Sequence, residues 1–191
     1  MAAVAVLWAT VGTGMARTGL GLIDDRPVSF LGTEARTAGL FRAGLLLASA
    51  LLAGFAWIVA RLLRRRTGFL TVFLVGMAGQ AIVAVVPLDS AGAGHAVHTT
   101  SGIVLGLSLP PLMWRFAAGL PPGPDRRLAF GLMAAEATGC VVGIVLSSAG
   151  VAALAEVVPA VLFHLWIVVV TVRWRAWRPA PVPAAGPPVS S

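Results

Sequence analysis

His95-Ala-Val-His98 is the pattern in this chain best suited to chemistry. A spacing of three puts both imidazoles on one helix face, and Asp89 stands six residues before the first of them. Three chemistries are open to such a set. Histidine titrates near neutrality, so the group can move protons as a general acid or base. Two imidazoles and a carboxylate can also hold a metal ion, although a complete ligand set with its supporting hydrogen bonds is not visible. Haem needs axial ligands that face each other, and His164, the third histidine, lies deeper than the other two, which disfavours haem. The plainer alternative is a capped helix start with interfacial histidines. No cofactor is required by any of these residues.

A second group is defined by depth. Arg17, Arg42, Gln80 and His164 each lie five to seven residues inside the same end of four different apolar runs, about 8–10 Å below the interface at 1.5 Å per residue. Polar groups at that depth normally face a bundle interior or a wet cavity. The two arginines are also long enough to snorkel to lipid phosphates, and Gln80 and His164 can serve as interhelical hydrogen-bond partners. Glu136 lies nearest the middle of its run, either neutral or paired with Arg17 or Arg42. Glu34 is a candidate second acid. Phosphate loops, dinucleotide fingerprints and hydrolase or zinc-protease motifs are absent from the sequence.

The elements that must position these groups are membrane helices. Hydrophobic residues make up 58% of the 191 residues and charged residues 11%, and mean hydropathy is +0.92. A soluble fold of this size has too much surface to hide so much apolar side chain. One span needs about 20 apolar residues, which predicts six: about 2–23, 37–63, 68–86, 95–118, 128–149 and 157–172. These form a single domain over 1–178, an all-α integral membrane bundle, with a disordered Pro/Ala-rich tail at 179–191. No basic residue precedes the first apolar run, so it reads as a retained span rather than a cleaved signal peptide. Pro110-Pro111 inside the fourth span predicts a kink. Gly76, Gly79, Gly139 and Gly143 let helices approach closely, and the last two have the spacing of a homodimer motif. Cys140 reads as packing.

Arginine placement orients the bundle. Arg61, Arg64, Arg65, Arg66, Arg115, Arg126, Arg127, Arg173, Arg175 and Arg178 fall on one side, against Arg26 and Arg36 on the other. The positive-inside rule then puts both termini in the cytoplasm. The charge of +7 would suggest nucleic acid for a soluble protein; distributed between spans it marks topology, and no nucleic-acid partner is expected. Asp24, Asp25, Glu34, Asp89 and Glu156 gather on the opposite, outward side. The last span ends in Arg173-Trp174-Arg175-Ala176-Trp177-Arg178, an interfacial anchor.

Two segments resemble a known family. Asp25-Arg26-Pro27-Val28-Ser29-Phe30-Leu31-Gly32 resembles the D-x-P-x-S-x-L-G element after the first span of domain-of-unknown-function family 998. Phe41-Arg42-Ala43-Gly44-Leu45 is similar to its second-span opening, with Arg42 where asparagine is frequent. Ala84-Val85-Val86-Pro87-Leu88-Asp89, followed by His95 and His98, is similar to a further element. The resemblance covers roughly residues 1–175. It implies a six-span protein of a bacterial or archaeal cytoplasmic membrane and no particular activity. It also implies that Pro27, Ser29, Gly32, Pro87, Asp89 and His95 share one feature.

The expected function is acid–base chemistry on a lipidic or isoprenoid substrate in an outward-facing pocket. Asp89, His95, His98, Glu34 and Glu136 would handle protons; Arg17, Arg42, Gln80, His164 and Ser29 would bind, the arginines holding an anionic head group. A proton-coupled or small-solute transporter is the first alternative, and a non-catalytic subunit of a larger membrane complex is the second. Membrane lipids are the expected partners, with a homodimer through the glycine faces as a further possibility.

Overall fold

The computed structural model describes residues 1–61, 63, 66–88 and 92–173. Its described part is all helical: α1 (Ala2–Thr18), a short 3-10 helix (Val28–Gly32), α2 (Ala38–Ala60), α3 (Arg66–Val85), α4 (Ala93–Gly119), α5 (Pro124–Ser148) and α6 (Ala152–Arg173). Helices α2 to α6 are long and apolar enough to cross a membrane. Helix α1 has 17 residues, about 26 Å at 1.5 Å per residue. It stops before the expected end at residue 23 because Gly19 adopts a left-handed conformation (φ 70°) and gives its N–H to the Met15 carbonyl. Helix α4 continues through Pro110 and Pro111. Helix α6 begins at Ala152, earlier than the expected 157, so Glu156 belongs to a helix and not to a loop. The expected tail 179–191, the Trp174–Arg178 anchor, Arg64, Arg65 and Asp89 lie outside the described residues.

Each helix packs on the next in chain order, and the pairings run antiparallel. Gln80 near the end of α3 meets Leu45 near the start of α2, and Gly68 and Gly79 of α3 lie against Arg115 and Ser101 of α4. Close approach is what holds helices together where lipid is as apolar as the side chains. A Cβ on Gly79 would come within 2.7 Å of the Ser101 carbonyl, and one on Gly143 within 2.7 Å of the Ala155 carbonyl. Gly76 and Gly139 likewise seat Ser108 and Leu162. The glycine faces considered for a homodimer are therefore occupied by helices of the same chain.

The two halves of the bundle differ. The half bearing Arg61, Arg115, Arg126, Arg127 and Arg173 is filled by rings. Trp166 stacks on Phe163 at 5.7 Å and stands edge-on to Phe55 and Phe116 at 6.2 and 5.3 Å. Phe69 and Phe73 complete this cluster, both at 0% exposure. Arg61, Arg115 and Arg126 lie over Trp57, Trp114 and Phe130. The other half, beneath the 3-10 helix, is hollow.

Candidate functional site

The segment before α2 is held by its own side chains. Arg26 grips Asp24 with a two-point fork (3.0 and 2.8 Å) and lies 5.0 Å from the centre of the Phe30 ring. The hydrogen bonds from Arg26 hold the Asp24 carboxyl well below the usual carboxylate range. Pro27 leads extended into the 3-10 helix. Leu31 is fully buried against Gly14 of α1, where any Cβ would strike it at 2.7 Å. The buried Thr37 hydroxyl closes the segment onto the Leu31 carbonyl at 2.8 Å.

Ser29 ties the two ends of the chain together, beside a backbone bond from the Ala153 N–H to the Asp24 carbonyl at 3.3 Å. The Ser29 backbone N–H and hydroxyl donate to the two oxygens of Glu156, at 2.9 and 3.1 Å, across 127 residues of sequence. The 3-10 helix thereby contacts α1, α2 and α6 together. In the P-x-S-x-L-G stretch, Pro27 sets the entry, Ser29 binds α6, Leu31 plugs onto α1, and Gly32 makes room for the Phe41 ring, 3.1 Å from where a Cβ would sit.

A cavity of about 580 Å³ lies beneath this brace, within the size range of small-molecule sites. All six helices line it. Its walls are mostly apolar, with Leu7, Val11, Phe41, Leu45, Leu109 and Phe163 among them, and Trp8 adds an indole. It reaches the side of the bundle beside Ile103, Leu107 and Ile144, which line it and are 55%, 66% and 68% exposed. The polar side chains on its wall include Ser29, Gln80, His98, Cys140, Glu156 and His164.

His98 is 5% exposed, and its Nδ1 lies 2.6 Å from the Val86 carbonyl. Facing a carbonyl, Nδ1 is the donor, and Nε2 is the ring nitrogen left to meet a ligand. His98 and Glu156 both line the cavity. Glu156 is accessible, and the space it faces is the cavity. His164 is 6% exposed; its Nδ1 donates to the Ala160 carbonyl at 2.6 Å, and its ring stands edge-on to Trp8 at 5.8 Å. Gln80 gives an amide N–H to the Leu45 carbonyl at 3.4 Å.

The residues singled out by sequence divide. Ser29, Gln80, His98 and His164 meet at the cavity. His95 does not line it: the ring is exposed and its Nδ1 ties down the Leu88 carbonyl at 2.9 Å. Arg17 and Arg42 are exposed and outside the lining, so neither reaches the cavity as a head-group clamp. Glu34 is half-buried in the loop, outside the lining. Glu136 is fully buried behind Cys140, whose thiol lies 3.6 Å from its Oε1. Among the described residues Glu136 has no ion-pair partner; the described pairs are Arg26 with Asp24 and Arg173 with Asp125. No three metal-binding side chains gather among the described residues, and Asp89, needed for the histidine–carboxylate set, lies outside them. Glu156 is the cavity residue that sequence reading misplaced. Its signal was the spacing of Glu156, Ala160 and His164 at four-residue steps on one face of α6.

Apolar helices of membrane-crossing length packed around a hollow half define a multi-pass helical membrane protein. The chain belongs to the family described as Protein of unknown function (DUF998), which matches residues 1–173. No curated protein and no solved structure matches the chain.

Proposed function

We propose that this protein binds a lipidic or isoprenoid molecule in the cavity and acts on it by acid–base chemistry, with Glu156 and His98 handling the proton. One observation carries the reading: the apolar cavity that reaches the side of the bundle is lined by both Glu156 and His98. A hydrocarbon chain can enter between Ile103, Leu107 and Ile144 without leaving the membrane. The Glu156 carboxylate accepts two bonds from Ser29 and also faces the Val28 N–H, which still leaves lone-pair capacity for a substrate proton. Those bonds orient the carboxylate, as the Val86 carbonyl orients His98. His95, Glu34 and Glu136 are given no catalytic part.

The arginine count supports a six-span topology with both termini in the cytoplasm and the cavity toward the outer side of a prokaryotic cytoplasmic membrane. Proton-coupled transport has less support, because the ring cluster around Trp166 fills the bundle beyond the cavity.

The test compares extracted lipids from wild-type, deletion, Glu156→Gln and His98→Ala strains, with thermal unfolding of each purified variant as the folding control. A lipid species that changes on deletion, and equally in both folded variants, is the expected result. An unchanged lipid profile on deletion overturns the reading.

A further inference from the structure

We infer that the cavity selects a ligand whose head group donates hydrogen bonds and carries no negative charge, a long-chain alcohol or amine, and that it rejects the phosphate of the same chain. The inference rests on the lipid-binding reading above and narrows it.

Each buried polar side chain on the wall has already committed a donor to the protein. Ser29 gives its hydroxyl to Glu156, Gln80 an amide N–H to Leu45, His98 its Nδ1–H to Val86 and His164 its Nδ1–H to Ala160. Thr99, Ser147, the Trp8 indole and the second Gln80 N–H also line the wall as neutral donors; the charged group on offer is the Glu156 carboxylate. The Glu156 carboxylate retains lone-pair capacity beyond its bonds from Ser29 and Val28. His164 lines the cavity at 6% exposure, and its Nε2, covered by neighbouring atoms, meets no partner among the described residues; a ligand bond there requires the ring to turn toward the cavity. A buried polar atom without a partner is unfavourable, and this one accepts when the ring is neutral. Pro110 has no N–H for the Gly106 carbonyl, and that carbonyl, on the cavity wall, takes the weak S–H donor of Cys140 at 3.9 Å.

Cations are missing from the wall. No arginine lines the cavity among the described residues, and the chain has no lysine. Arg17 and Arg42 face outward, and Arg26 is forked by Asp24. A phosphate would bring a second negative charge beside Glu156 in a poorly screened space. An ammonium or hydroxyl finds the carboxylate, the imidazole acceptors and the ring of Trp8, whose face attracts cations.

The experiment measures binding to the purified full-length protein in nanodiscs, by native mass spectrometry. The probes share one C15 isoprenyl chain and end in a hydroxyl, a primary amine or a monophosphate. The alcohol or the amine should bind at least tenfold more tightly than the phosphate. An amine preference assigns the selectivity to Glu156, an alcohol preference to His164. His164→Leu should weaken the better probe at least fivefold, while His164→Gln, which keeps an acceptor, should retain it. Glu156→Gln should narrow the gap between amine and phosphate at least fivefold. Phosphate binding as tight as that of the other two overturns this inference and leaves the lipid-binding reading standing. No binding by any of the three overturns both.

Discussion

His95 and His98 sit three residues apart and end in different surroundings. One ring faces solvent and ties down Leu88; the other is buried on the cavity wall. His95→Ala should therefore leave ligand binding within about twofold of wild type, whereas His98→Ala should lower it at least tenfold. Titration of both variants with the same isoprenyl probes checks this, and equal losses would put His95 back in the site. The Glu156 brace separates in the same way. Ser29→Ala removes the hydroxyl bond and keeps the backbone one, for a loss of about 1 kcal/mol. Glu156→Ala removes both and should lower the unfolding temperature further. The depth of Arg17, Arg42, Gln80 and His164 was legible from their positions in the apolar runs, but their direction around the helix was not. On α2 the buried residues Phe41, Leu45, Ala48 and Leu52 keep helical spacing, yet exposed Leu46 and Leu47 are as apolar as they are. When lipid covers the outer face, the polar stripe that marks the outside of a soluble helix is missing. Arg42 could therefore not be assigned a side from the sequence.

At the scale of the element, hydropathy located α2 to α6 well, because length and apolarity are what a bilayer requires. It erred where one residue governs a boundary. Gly19 ended α1 early, and a carboxylate facing a cavity instead of lipid made the first turn of α6 look like a loop. The α5–α6 contact gives a direct test. Gly143→Ala places a methyl against the Ala155 backbone carbonyl at 2.7 Å, which cannot rotate away as a side chain can. Gly131 lies on the same helix with nothing within 4 Å of a new Cβ, so Gly131→Ala gains helix propensity, up to about 1 kcal/mol. Thermal unfolding should show Gly143→Ala less stable than wild type and Gly131→Ala equal or more stable. The reverse order would mean that α5 and α6 are not packed through Gly143. Because Gly143 also lines the cavity, the same variant should weaken probe binding.

For the whole molecule, the arginine count and the hollow half make one prediction about sidedness. Cys140 is the sole cysteine, so Cys140→Ser provides a clean background. A cysteine at Asp25 should react with a membrane-impermeant thiol reagent in intact cells, and one at Arg127 only after permeabilisation. The opposite pattern would invert the proposed topology. The ring-packed half makes a second. Proteoliposomes of the wild type should carry no more proton flux than empty vesicles. Flux that disappears in Glu136→Gln would install the transport reading in place of the enzymatic one. The family resemblance was legible because its short motif is the brace itself, whose residues each have a geometric task. The cavity was not, since its wall draws on all six helices and no local window contains it.

The Ser29–Glu156 link also sets an order of assembly. Synthesis at about 5–20 residues per second delivers Glu156 roughly 6–25 s after Ser29, given the 127 residues between them. During that interval α1 and α2 can pair, α3 can add to them, and the ring cluster can begin to form. The 3-10 helix still has no carboxylate to grip, and the cavity has no sixth wall. A nascent chain is thus an open row of helices until its last segment inserts and the row is clasped into a ring. A ribosome-stalled chain ending before α6 lacks the cavity's sixth wall and so cannot hold a ligand prematurely.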